Sequence, residues 1–225
     1  MKTFKVLGLL MSYPKPDWIS HLDEFGPLLI EEGFLPKKHL QSVLAFIEEM
    51  KSADLFTVQE EFCSTFDRGR SHCLHLFEHI HGESRDRGQA MVNLSDAYEE
   101  KGFFIDRAEL PDYIPLFLEF LSLCPQEEAL ALLGEPIDIM ATIATRLHKR
   151  DSSYAVLFDA LVALSKVKPS QEKIQEVMAQ PLEDESLEAL DKEWEEAAAF
   201  AGQPEQTGCG GCKTPGNNLQ INITG

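Results

Sequence analysis

The sequence predicts an all-α fold: a single globular helical bundle of about ten helices, followed by a C-terminal tail. Three observations predict it. Apolar residues recur at three- and four-residue spacing along most of the chain, as at Leu40, Val43, Leu44, Ile47 and Met50. Prolines and glycines break these runs at helix-length intervals. No run of strict apolar–polar alternation marks a strand, and there is no internal repeat.

The elements follow in order. A first amphipathic helix covers about Thr3–Tyr13 and stops at Pro14. Trp18, Leu22 and Phe25 space a second, expected to break at Gly26-Pro27, with Leu28–Glu32 as a further piece. Pro36 opens a third at a position where its missing N–H costs nothing. Asp54 caps a fourth, with Leu55, Gln59, Phe62 and Phe66 on one side and an end near Gly69. The spacing of Leu76, Phe77 and Ile80 predicts a helix over 71–80, broken by Gly82. Ser84 or Asp86 is expected to cap the next, with Met91, Leu94, Ala97 and Tyr98 inward and Gly102 ending it. Asp112 reads as the N-cap of a helix that is apolar nearly all round, Ile114–Leu123, ended by Pro125. Such a helix belongs at the centre of a bundle. Pro136 opens another, whose last turn carries His148, Lys149 and Arg150 at the negative end of the helix dipole. Asp151 or Ser152 is expected to cap the helix of Tyr154, Leu157, Phe158, Leu161 and Leu164, which Pro169 ends.

From about residue 170 the chain turns acidic, with 11 Asp/Glu against 2 Lys up to Glu205. Two acidic helices are expected over about 170–201, completing a domain of residues 1–201. Residues 202–225, rich in Gly, Pro and Asn, read as a mobile tail.

The formal net charge of −18 argues against nucleic acid, whose affinity comes from Lys and Arg on phosphate, and against a stable membrane association. It favours a basic partner. The apolar run Val6–Met11 is too short for a signal peptide's core with its cleavage site, and no stretch reaches the ~18 apolar residues of a spanning helix. A cytoplasmic location is expected. Five cysteines form no evident disulfide framework. Cys63, Cys73 and Cys124 read as small core residues, and Cys209/Cys212 as a reduced pair in the tail.

The densest polar stretch is Phe66–Met91, with four of the seven histidines. His72, His75 and His79 fall at offsets that share one helical face, and His75/His79 at i, i+4 have chelating spacing. The sequence is not HExxH, and histidines on a solvated face or bonded to neighbouring carboxylates account for it as well. No metal, cofactor or catalytic residue is expected. There is no Gly-x-Ser-x-Gly, no Walker loop and no GxGxxG. Arg85 and Arg87 read as partners of Glu83, Asp86 and Asp67 in a structural network that includes Arg68 and Arg70. An acidic all-α protein with 14 phenylalanines also suits a receptor for an amphipathic helix. The same aromatics are equally accounted for as core.

Three blocks then carry a resemblance: FDRGR at Phe66–Arg70, LFEHIHGESRDRGQAMVNL at Leu76–Leu94, and ELPDYIPLFLEFL at Glu109–Leu121. With Arg146, Ser153–Val156 and Trp194-Glu195-Glu196, they make the chain resemble the NarJ-type nitrate reductase assembly chaperones, also called delta proteins, over about residues 3–200. That family belongs to the TorD-like group of all-α redox-enzyme maturation chaperones. The resemblance implies a chaperone, not an enzyme. It implies binding to the apo catalytic (alpha) subunit of respiratory nitrate reductase through a basic amphipathic N-terminal peptide. The client would be held for molybdenum cofactor and iron–sulfur insertion before membrane docking. It places client binding at Glu109, Pro111, Asp112, Tyr113 and Pro115, with Phe77, Glu78, His79, Glu83 and Asp86. The wider group has E-x-x-D-H where this chain has Glu109-Leu110-Pro111-Asp112-Tyr113, so a tyrosine replaces the usual histidine. A small metal- or cofactor-binding carrier, using the histidines or Cys209/Cys212, is the alternative of a different class.

Overall fold

The computed structural model describes residues 1–68, 70–81, 85–105 and 109–179. They lie in one compact unit, Met1–Glu185. The expected second acidic helix, the tail and Cys209/Cys212 lie outside the described residues. The fold is all-α, with no strand among the described residues; one isolated antiparallel bridge joins His75 and Tyr113.

Helix α1 (Lys2–Leu10) packs on α8 (Ile114–Leu123), which is apolar nearly all round and buries Phe117, Leu118, Phe120 and Leu121. Each such side chain contributes about 1.5–3 kcal/mol of burial. The two helices approach closely because α1 carries Gly8. A Cβ there would sit 3.1 Å from the Pro115 carbonyl oxygen and 3.3 Å from Leu118 Cβ. The start of α1 is capped from another helix. Glu32, at the end of α3 (Leu22–Glu32), accepts from Lys2 N at 2.8 Å and Thr3 N at 2.6 Å. A carboxylate suits the positive end of a helix dipole.

The short α2 (Pro16–Ile19) precedes α3. The expected break at Gly26-Pro27 is overturned: α3 runs through Pro27. Pro27 is exposed, so the carbonyl it leaves without a donor can be hydrated, while Leu22, Phe25 and Leu29 are buried on both sides of it. Helix α4 (Lys37–Ser52) follows Pro36, and α5 (Leu55–Phe66) is capped by Asp54, which accepts from Thr57 N at 3.1 Å.

The helix expected over 71–80 does not form. A 3-10 turn spans Arg70–His72, residues 73–77 run on without helix, and a short α6 covers Glu78–His81. Leu74 O and the amides of Leu76 and Phe77 bond to residues 112–114 instead. Helix α7 (Arg85–Glu100) is followed by a turn at Gly102, whose φ is +74°. Tyr98 is fully buried, but Ala97 is exposed. Asp86 falls inside α7 rather than at its cap, and Ser84 lies outside the described residues.

Sequence periodicity did not resolve α9 (Gln126–Gly134), which fills the interval between Pro125 and Pro136 and buries Ala129, Leu130 and Leu133. Helix α10 (Ile137–Lys149) pairs with α11 (Ala155–Leu164), and α11 with α4. Neither Asp151 nor Ser152 caps α11; its N-cap is Tyr154, which uses no side-chain hydrogen bond. The Tyr154 ring instead meets Phe46 and Phe66 edge-on, with centroids 5.0 Å away in both cases. Helix α12 (Gln171–Ala179) lies on α10 and buries Ile174. No helix among the described residues is long and apolar enough to cross a membrane.

Candidate functional site

Pro111, Asp112 and Tyr113 form the turn that enters α8. Tyr113 N donates to Leu110 O at 3.1 Å, and the buried Tyr98 hydroxyl donates to Pro111 O at 2.9 Å. Two backbone bonds tie the turn to residues 74–76: Leu76 N to Asp112 O at 3.0 Å and Ile114 N to Leu74 O at 2.8 Å. Asp112 is 0% exposed, and its Oδ2 accepts from Phe77 N at 3.0 Å. It is therefore not the N-cap of α8; Tyr113 holds that position. A buried carboxylate is tolerated only where it is hydrogen-bonded. Asp112 spends its bonds on locking residues 74–77 against the start of α8.

A cleft of about 280 Å³ opens between this turn and α1. Leu9, Trp18, Pro115 and Leu116 give it apolar walls, with Gly8, Ser12 and Tyr13 beside them. Glu109 and Glu119 stand on one side, Lys5 and Lys15 on the other. Lys5 Nζ lies 3.5 Å from Glu119 Oε1, an exposed pair that water screens and a ligand can displace at little cost. Tyr113 lines the cleft, and burial with the nearby Glu109 pushes its phenol well above the usual range, so it remains a neutral donor. The cleft can take a few apolar side chains and pair a cation with Glu109.

A polar cluster gathers around Cys73, Glu78 and His79. Arg87 Nη2 pairs with Glu78 Oε1 at 3.1 Å. The Cys73 thiol donates to Glu78 Oε2 at 2.7 Å. Burial raises the Glu78 carboxyl, but the thiol and Arg87 outweigh it and hold the group below the ordinary range. His79 donates through Nε2 to Cys73 O at 2.8 Å. Desolvation drives its imidazole down, against that hydrogen bond. Cys73 Sγ, His75 Nδ1 and a Glu78 oxygen lie within 4.8 Å of one another and are the group best placed to hold a metal among the described residues.

The predicted site residues are divided accordingly. Glu109, Tyr113 and Pro115 reach the cleft. Asp112 is buried behind it, and Pro111 and Phe77 are half-buried. Glu78 and His79 belong to the polar cluster. Glu83 and the side chains of Asp86, Arg85 and Arg70 lie outside the described residues. Asp67 and Arg68 are exposed just past α5. The histidines do not share one helical face: His72 ends the 3-10 turn, His75 sits in the paired segment and His79 in α6. Nor is His72 solvated, being 3% exposed with its Nδ1 3.4 Å from Arg150 Nη1. Sequence reasoning missed the α1 wall of the cleft. The available signal was Gly8, a small residue on an otherwise apolar helix face.

The sequence matches the family model described as nitrate reductase delta subunit over residues 35–160. The chain belongs to that family. It is 39% identical over 191 residues to NarJ of Escherichia coli K12, a nitrate reductase molybdenum cofactor assembly chaperone; the match covers 85% of this chain and 81% of NarJ. It is 37% identical over 216 residues to NarW of the same strain, covering 93% of this chain and 87% of NarW. Its fold is similar to that of an Archaeoglobus fulgidus protein described as a redox enzyme maturation protein, with a TM-score of 0.53 at 22% identity. That similarity covers 70% of this chain and 88% of the other. The delta subunit family is one of cofactor assembly chaperones rather than catalysts.

Proposed function

We propose that this chain is an assembly chaperone acting in the cytoplasm on the apo catalytic subunit of respiratory nitrate reductase. It binds that subunit mainly through a basic amphipathic N-terminal peptide. It keeps the subunit open for molybdenum cofactor and iron–sulfur insertion and delays membrane docking until both are in place. The observation that carries the reading is the 39% identity with NarJ over 85% of this chain.

The cleft between α1 and residues 109–119 is the docking place this reading selects. Its apolar walls suit the hydrophobic stripe of an amphipathic helix, and Glu109 suits a lysine or arginine of the client. The net charge of −18 steers a basic peptide toward the protein. Asp112 serves the site at one remove, by fixing the turn that presents Tyr113. Calorimetric titration of the reductase N-terminal peptide into the full chain tests the docking place. Glu109→Ala and Leu9→Asp should each weaken binding by about ten-fold, a loss of about 1.4 kcal/mol. Wild-type affinity in both variants would move the docking place elsewhere.

A further inference from the structure

Beside the proposed client cleft, and independently of that reading, three unlike donor atoms converge on one point. Cys73 Sγ stands 3.8 Å from His75 Nδ1. That is close to the edge of a coordination tetrahedron with metal–sulfur and metal–nitrogen bonds of ~2.3 and ~2.0 Å. Glu78 Oε2 is nearer still, 2.7 Å from the sulfur, and accepts the thiol proton. An ion would take the place of that proton and widen this one edge.

The surroundings hold the three in register. Backbone bonds from Leu76 to Asp112 and from Ile114 to Leu74 fix the chain on both sides of His75. The His75 ring packs against Tyr113 with centroids 5.4 Å apart. Arg87 takes Glu78 Oε1 and leaves Oε2 turned toward the sulfur. Such outer contacts orient ligands in known metal sites. Cys73 is buried while His75 and Glu78 are half-buried, so the cluster has a dry back and an opening to solvent.

We infer that Cys73, His75 and Glu78 form a site for a single borderline-soft divalent cation, zinc above all. Thiolate and imidazole favour such an ion over magnesium or calcium. Three protein ligands leave a fourth position open to water. Binding is proton exchange without redox change: the ion bonds to sulfur, and the thiol proton leaves to solvent. Thiolate and carboxylate together balance the ion's two positive charges. The ion fastens residues 73–75 to the first turn of α6, and it stabilises the folded state by mass action.

Cobalt(II) titration of the full chain, read by thiolate-to-cobalt charge-transfer absorption and by thermal midpoint, tests the site. The expected result is a saturating band at one cobalt per chain, bleached by zinc, with a raised midpoint. Cys73→Ser should abolish the band. His75→Ala should weaken binding by at least about ten-fold, the loss typical even of an outer-shell change. The double variant Cys209→Ser/Cys212→Ser should keep the band. Circular dichroism checks each fold; were Cys73→Ser not to fold, His75→Ala and Glu78→Gln carry the test. Absence of a band in the wild-type chain overturns the site. So does a band that survives Cys73→Ser and vanishes with the tail cysteines, or wild-type affinity in the folded His75→Ala and Glu78→Gln variants.

Discussion

Asp112 shows how one side chain can set the shape of a site without facing it. Its carboxylate accepts the Phe77 N–H, and its carbonyl accepts the Leu76 N–H. Asp112→Ala orphans the part-buried Phe77 N–H, and the expected loss is about 1–3 kcal/mol in urea unfolding. Asp112→Asn, which keeps an oxygen for Phe77, should lose less; equal losses would separate the effect from that bond. His79 gives a pH signature. Desolvation lowers its folded pKa, with Arg146 and His75 adding positive potential and Glu78 and the Cys73 carbonyl opposing them. The neutral ring is favoured in the fold, so its stabilisation is complete above the unfolded histidine's pKa of about 6.5 and declines as pH falls below it. Between pH 7.5 and 5.5 the wild-type urea midpoint should fall further than that of His79→Gln. Parallel lines for the two proteins would contradict this. In sequence, Asp112 looked like a helix cap and His79 like part of a histidine face. Both are polar residues preceding or within helical patterns; what distinguishes Asp112 is its bond to Phe77 N, 35 positions away, and what distinguishes His79 is its bond to the Cys73 carbonyl in the non-helical segment before it.

Among the helices, local pattern succeeded where burial follows the 3.6-residue period. The stripe of α11 is buried as spaced, that of α4 at Val43, Ile47 and Met50 and that of α5 at Phe62 and Phe66, while Leu40, Leu44, Leu55 and Gln59 are half-buried; Asp54 caps α5. It failed where non-local bonds decide. Residues 71–80 have helical spacing, yet Leu74, Leu76 and Phe77 bond to residues 112–114 and α-helix starts only at Glu78. Pro27 was expected to end a helix, yet core contacts on either side of it hold α3 together. The capping of α1 by Glu32 is non-local too, and no local cap motif announces it. Burial raises the Glu32 carboxyl, but the Thr3 hydroxyl and the amides of Thr3 and Lys2 bring it below the ordinary range. Glu32→Ala should cost about 1 kcal/mol by chemical denaturation; an unchanged midpoint would show that the cap is energetically idle. Gly8→Ala tests the α1–α8 approach. The added methyl meets a backbone oxygen, so the helices must separate, at a cost of about 1–3 kcal/mol. A more stable variant would mean that α1 shifts freely over α8.

For the molecule as a whole, fold class and family were legible in the sequence, and the cleft only in part. Periodicity sufficed for an all-α bundle, and the blocks at Phe66–Arg70, Leu76–Leu94 and Glu109–Leu121 sufficed for the family. Those blocks contribute Glu109, Tyr113 and Pro115 to one wall of the cleft. The opposite wall comes from α1, which lies outside the span of the family match. Only folding brings Leu9 and Ser12 to Tyr113. In the proposed function, the net charge of −18 and the small, mixed cleft suit a basic, partly apolar segment of the client. The most direct test is capture of the apo catalytic subunit of nitrate reductase by the tagged full chain, with and without the subunit's N-terminal peptide. The expected result is capture of the intact apo subunit, sharply reduced when the peptide is deleted and further reduced by Glu109→Ala at raised salt. Failure to capture the intact apo subunit, or equal capture with and without its peptide, would contradict it.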